Sequence, residues 1–268
     1  MKTDYHVHCT YCDGKNTPRE IVEAALSYGM NAIGFSSHAY TPGSHCGMTP
    51  EGTEEYIAEV TALKAEFAGK IQIYLGTEED ATYLIDRSRY DYIIGSKHFF
   101  VKDGTYYSID GGLDRFQRCV EVFGGDAFAM THAYYADYCD YIERRRPDII
   151  GHFDLLTKFD EKYGVSLFLG NEAYYALAEQ YTRRASRAGC LFEVNTGAIS
   201  RGHRTAPYPD ERLLRVMKKE GADVILTSDS HRAEHITFAF DEAKQLLRSV
   251  GFTYTYVLYD GRFQKNYF

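Results

Sequence analysis

No apolar run in the 268-residue sequence approaches the roughly 20 residues of a membrane-spanning helix. The first residues, Met1-Lys2-Thr3-Asp4-Tyr5-His6, hold no apolar signal core, so export is not expected. Basic residues are the minority: 30 Lys and Arg against 38 Asp and Glu give a formal net charge of −8. That balance argues against general binding of nucleic acid or an anionic membrane, since both need a basic footprint. Only six cysteines occur, at 9, 12, 46, 119, 139 and 190, and their spacing is not paired. They read as reduced thiols of a cytoplasmic protein. Cys9-x-x-Cys12 lacks the second pair that a zinc knuckle needs. No repeat, low-complexity run or Pro/Ser-rich linker interrupts the chain. A single domain over residues 1–268 is therefore expected.

What the sequence does contain is a β/α alternation. Strands are expected near residues 5–8, 32–36, 71–76, 92–95, 149–152, 191–195 and 224–227, with another near 254–259. Most are apolar on successive positions, as in parallel strands covered on both faces. Thr17-Pro18-Arg19-Glu20, Thr53-Glu54-Glu55 and Pro209-Asp210-Glu211 are helix starts. Gly29, Gly69, Gly189, Gly221 and Gly251 fall where helices should end. Residues 99–109, with Asp103-Gly104 at the centre, read as an inserted hairpin. The alternation fits a β/α barrel or a doubly wound sheet. About seven inner strands, with no glycine-rich nucleotide fingerprint, favour the barrel.

The ten histidines are not scattered evenly. His6 and His8 lie two apart on the first strand and so share a side. His38, His98 and His152 follow or end later strands, Glu78 and Glu79 follow the third, and Asp229 and His231 follow Leu226-Thr227. In a parallel barrel these strand ends open onto one face. A lone histidine is more often a hydrogen-bonded structural group, but coincidence at five strand ends points to metal. Imidazole with carboxylate suits zinc, iron or manganese rather than calcium. A bridging carboxylate makes a polynuclear, hydrolytic centre the natural reading.

His6-Val7-His8, Thr10-Tyr11-Cys12-Asp13-Gly14, Gly34-Phe35-Ser36-Ser37-His38, Gly76-Thr77-Glu78, Ile94-Gly95-Ser96-Lys97-His98, Gly151-His152-Phe153-Asp154 and Ser228-Asp229-Ser230-His231 form an ordered series. The series resembles the motifs of the polymerase and histidinol phosphatase (PHP) superfamily, from residue 4 to about residue 232. "IIGSKHF", "IIGHFDLLTKF" and the stretch from "EVNTGAISRG" to "TSDSH" resemble its histidinol-phosphate phosphatase branch. The resemblance implies an α/β fold: a distorted seven-stranded, TIM-like β/α barrel with a trinuclear metal site at the C-terminal strand ends. It implies two to three divalent transition-metal ions (Zn, Fe or Mn). His6, His8, Glu78 and Asp229 would hold the first, Glu78, His98 and His152 the second, and Asp13, His38 and His231 the third. Some relatives carry histidine where Asp13 falls. Alignment of Gly76-Thr77-Glu78 turns Glu78 rather than Glu79 to the metals, and Asp80 shares its side.

The activity so implied is metal-dependent hydrolysis of L-histidinol phosphate, a step of histidine biosynthesis. Glu78, Asp229 and His231 would carry catalysis. Arg201, after the sixth strand, offers a guanidinium fork suited to phosphate. Lys158 and His203 are further candidates for substrate contact, and Lys97, Arg204 and His235 lesser ones. His45 sits in a loop at the mouth, and His132 reads as a packing residue. Arg144-Arg145-Arg146 reads as a helix end complementing the dipole. The expected partner is a small phosphomonoester, with neither nucleic acid nor membrane. The alternatives are a PHP-type phosphoesterase for a nucleotide or DNA end, a metal-binding protein without turnover, and an amide or lactone hydrolase.

Overall fold

A computed structural model describes residues 1–268. One sheet runs through it in the order β1 (Thr3–Asp4), β2 (Ala32–Phe35), β3 (Gln72–Asp80), β4 (Tyr92–Ser96), β7 (Ile149–Ile150), β8 (Leu191–Asn195), β9 (Val224–Thr227), β10 (Tyr254–Tyr259) and β11 (Arg262–Tyr267). All neighbours are parallel except β10 and β11, which form an antiparallel hairpin. Strands β2, β4, β8 and β9 are buried at every position, so their unbroken apolar runs have cover on both faces.

Two helical layers provide the outer cover. Helices α1 (Pro18–Ser27) and α2 (Pro50–Glu66) pack a 17-residue apolar cluster against the first strands. A larger cluster of 33 residues lies under α3 (Leu113–Val122), α4 (Ala127–Arg145), α6 (Glu172–Ser186), α8 (Glu211–Glu220) and α9 (Phe240–Val250). Between them, α5 (Asp160–Tyr163) and α7 (Gly197–Ser200) are single turns. The inner face of the sheet is filled by Tyr5, Tyr74, Tyr92, Ile94, Ile149, Leu191 and Ile225. Tyr92 fits because β2 and β3 present glycines there: a Cβ at Gly34 would meet its Oη at 2.5 Å, and one at Gly76 would enter its ring.

The local signals hold in most places. Thr17 caps α1 in a full capping box with Glu20, Asp210 caps α8, and the five predicted glycines all have positive φ, from 65° to 100°. Residues 99–109 form the hairpin β5 (Phe99–Lys102) and β6 (Thr105–Ser108), with Asp103 and Gly104 both at positive φ. Helix α2 begins at Pro50 under the cap Thr49, not at Thr53, because Thr49-Pro50 repeats the Thr-Pro start of α1.

The sheet is a curled, open nine-stranded half-barrel and not the closed seven-stranded barrel expected. Beyond Asp4 the chain pairs with the segment after β9 only at the bridge Val7–Ser230. The Ser36 hydroxyl takes the Val7 N–H at 3.0 Å, displacing a ladder bond. The β10–β11 hairpin adds to β9 and ties back to the first residues: Tyr5 Oη donates to Leu258 O, and Asn266 bonds Met1. The first strand consequently lies at residues 3–4 rather than 5–8, while β3 runs on to Asp80.

Candidate metal centre

The strand ends converge as the sequence suggested. Carboxylate Oε2 of Glu78, on β3, lies 2.8 Å from His38 Nδ1, 3.2 Å from His6 Nε2 and 3.6 Å from His8 Nε2. Its Oε1 lies 2.9 Å from His152 Nε2 and 3.4 Å from His98 Nε2. Asp229 Oδ1 faces His8 Nε2 at 3.3 Å, and Asp13 Oδ1 faces His231 Nε2 at 3.2 Å. Three sets of donor atoms fall within 4.8 Å of one another: His8, Asp13, His38 and His231; His6, His8 and Asp229; and His38, Glu78 and His98. His8 thus shares the Asp13 set, and His38 reaches Glu78 as well, a tighter interleaving than the sequence implied.

Whether these residues suit cations can be read from their unmet hydrogen bonds. His6 Nε2, His8 Nε2, Asp13 Oδ1 and Glu78 Oε2 are buried without a hydrogen-bond partner. Buried polar atoms left unpaired are costly, and four that converge form a cage for divalent ions. Electrostatics agree. Burial alone would raise the Glu78 carboxyl, but His6, His38 and His98 hold it well below its usual range. Asp229 is likewise held low against burial, by Arg201 and His6. Burial, with His231 and His38, drives the His8 imidazole down to about 3, so it is neutral and able to donate a lone pair.

The imidazoles are oriented from behind. Glu193 on β8 accepts from His6 Nδ1 through a short contact and from His152 N at 2.6 Å and Thr227 Oγ1 at 2.6 Å. This arrangement aims His6 Nε2 at the centre. Asp80 Oδ2 sits 3.2 Å from His98 Nδ1 and accepts from its backbone N–H at 2.7 Å. Glu79 points away: Tyr141 Oη and Arg145 Nε bind one oxygen, and Arg145 Nη2 and Ile85 N the other. Arg145 is therefore more than a helix-end charge.

A cavity of about 550 Å³ opens above the centre, lined by Asp13, Glu78, Asp229 and four of the histidines at its base. The β5–β6 hairpin supplies Phe99, Tyr106 and Tyr107 to its wall, and α3 supplies Arg115 and Arg118. Arg201 lines it too, with Nη2 on Asp229 Oδ2 and Nη1 on the Asp229 carbonyl, both at 2.8 Å. Lys158 lines it with Nζ bound to Asp110 O at 2.8 Å. His203 does not line the cavity. Gly202, at φ 65°, turns the chain, and the His203 ring packs edge-on to Phe159. His45 is at the cavity, whereas His132 packs on Tyr181.

Sequence reasoning missed the roles of Glu193 and Asp110. Glu193 had a signal: it is the one charge inside the strand Leu191-Phe192-Glu193-Val194-Asn195. Asp110 had none, since only the hairpin's fold brings it against Lys158.

Comparison with known proteins fits this geometry. The family model described as "PHP domain" matches residues 4–197. A Bacillus subtilis protein named histidinol-phosphatase is 26% identical over 264 residues, covering 90% of this chain and 97% of its own. A Listeria monocytogenes structure superposes with a TM-score of 0.77 at 21% identity, over 90% of this chain and 99% of that one. A Lactococcus lactis histidinol phosphate phosphatase, solved with zinc, L-histidinol and phosphate, gives 0.71 at 21% identity, over 98% and 99%. From the motif series, the shared fold and the extent of the family match, the chain belongs to the PHP-domain family.

Proposed function

We propose that this chain is a metal-dependent phosphomonoesterase that hydrolyses L-histidinol phosphate to L-histidinol and phosphate, as one domain over residues 1–268. The observation that carries the reading is the convergence of buried, unpartnered donor atoms on His6, His8, Asp13 and Glu78 below a cavity lined by Arg201 and Lys158. The choice of substrate rests on the Bacillus and Lactococcus relatives. Six free thiols agree with the cytoplasm as its compartment.

His6, His8, Glu78 and Asp229 would hold one ion, Glu78, His98 and His152 a second, and Asp13, His38 and His231 a third. Bound zinc, iron or manganese supplies Lewis-acid stabilisation of phosphoryl charge and activation of water at neutral pH. The chain's own residues do the rest. Two Arg201 N–H groups are spent on Asp229, so the guanidinium is fixed in place with donors left for phosphate oxygens. Lys158 lines the same cavity, its Nζ held by Asp110 O and Oδ2. As the P–O bond to the leaving group breaks and water's oxygen takes its place on phosphorus, the proton that water gives up ends on the departing alkoxide; His231 would relay it, since Asp229, held ionised by Arg201 and His6, has none to give.

Phosphate release from a substrate panel tests this proposal. Histidinol phosphate should exceed a nucleoside monophosphate, a 3′-phosphorylated oligonucleotide and an aliphatic phosphomonoester in kcat/KM. Equal rates across the panel, or preference for the oligonucleotide, would place the chain among phosphoesterases of another substrate.

A further inference from the structure

Asp229 has a left-handed backbone, φ 48°, and no other residue of the proposed metal centre does. Its two oxygens are treated differently. Oδ1 faces His8 Nε2 at 3.3 Å and His6 Nε2 at 3.8 Å. Oδ2 accepts from Arg201 Nη2 at 2.8 Å and from Asn195 Nδ2 at 3.3 Å. Asn195 is itself fixed, with Nδ2 also on Glu193 Oε2 at 3.0 Å and Oδ1 accepting from Gly197 N at 2.8 Å. A Cβ at Gly197 would stand 2.8 Å from Asp229 Cβ and 3.0 Å from Oδ2, so only glycine allows so close an approach.

We propose that the junction of β8 and α7, Asn195 to Gly197, is a clamp that holds Asp229 in its left-handed conformation and reserves Oδ1 for a divalent cation. The proposal rests on the metal-centre reading above. Asn195 and Gly197 are positioning residues that act through Asp229. Without them the carboxylate is free to rotate, or to give both oxygens to Arg201, and its contribution as a ligand is lost. The same hydrogen-bond chain joins Glu193, which orients His6, to Asn195, which orients Asp229. Two ligands, one following β1 and one following β9, are thereby set by one strand.

Three variants separate the clamp from general stability. Asn195→Ala and Gly197→Ala disturb it in different ways. Thr196→Val alters the same buried junction, but Thr196 donates to Phe238 O at 2.7 Å and not to Asp229. Metal-free proteins are titrated with Mn²⁺ or Zn²⁺ against a chelating dye, and their melting temperatures are recorded. Loss of such supporting partners weakens metal affinity by about 10- to 100-fold. Asn195→Ala and Gly197→Ala should show a shift of that size, and excess metal should restore turnover in Asn195→Ala. Thr196→Val should lose stability without the shift. Wild-type affinity in the first two variants, or an equal shift in Thr196→Val, would overturn the clamp. A wild-type chain that takes up no metal would overturn the metal centre and the clamp with it.

Discussion

Replacing Glu79 by glutamine should destabilise the protein while sparing its chemistry, and replacing its neighbour Glu78 should do the reverse. Successive residues on a strand face opposite ways, and here one face is the metal centre and the other a packed interface. All the hydrogen bonds of Glu79 go to Tyr141, Arg145 and Ile85, at 2.7–2.8 Å, and its own exposure is nil. Breaking a buried pair by removing one partner costs about 3–5 kcal/mol. The Arg145 side chain keeps 17% exposure and regains some water, which places the expected loss near the lower end, about 3 kcal/mol. At roughly 2–4 °C per kcal/mol for a chain of this size, the melting point should fall by about 6–12 °C. Metal content and kcat of the folded Glu79→Gln protein should stay near wild type. Glu78→Gln should fold with little loss and fail to retain metal. Calorimetry on metal-free protein, with elemental analysis of the refilled samples, reads both arms. If Glu78→Gln keeps its metal and Glu79→Gln loses it, the strand register is off by one residue.

Other perturbations follow from the same geometry. At saturating metal, Arg201→Ala should lower kcat/KM for histidinol phosphate by roughly tenfold to a hundredfold, the worth of a charge-assisted pair, and Arg201→Lys should recover part of it. Wild-type kinetics in the alanine variant would confine Arg201 to its contacts with Asp229. Gly76→Ala pushes a methyl into the buried Tyr92 ring and should cost about 1–3 kcal/mol in chemical denaturation; a neutral effect would mean that Tyr92 has room to move. Thr49→Ala removes the α2 cap, whose Oγ1 accepts from Gly52 N at 3.0 Å, and should cost about 1 kcal/mol. No loss there would show that Pro50 alone sets the helix start.

Much of the fold was legible because its signals are local. Unbroken apolar runs report strands with cover on both faces, and Thr17-Pro18 or Gly221 report helix ends, whatever lies across the core. The histidines were legible because a strand end fixes where a side chain points. What failed depends on partners remote in sequence. That the sheet stays open turns on Ser36 meeting Val7 and on β10 meeting Tyr5, neither of which periodicity encodes. Arg201 and His203, two residues apart, were both candidates for substrate contact, and the left-handed Gly202 separates them, one at the cavity and the other against Phe159. Glu193 looked like part of a motif string rather than the carboxylate that aims His6.

The most direct test removes and restores the metal. Purified protein is stripped with a chelator, assayed for phosphate release from histidinol phosphate, refilled with Zn²⁺, Mn²⁺ or Fe²⁺, and analysed for bound ions per chain. Stripped protein should be inactive, and refilling should restore turnover together with two to three ions held by residues from His6 to His231. Full activity in rigorously metal-free protein, or refilled protein that binds the ions yet releases no phosphate, would contradict the proposed function.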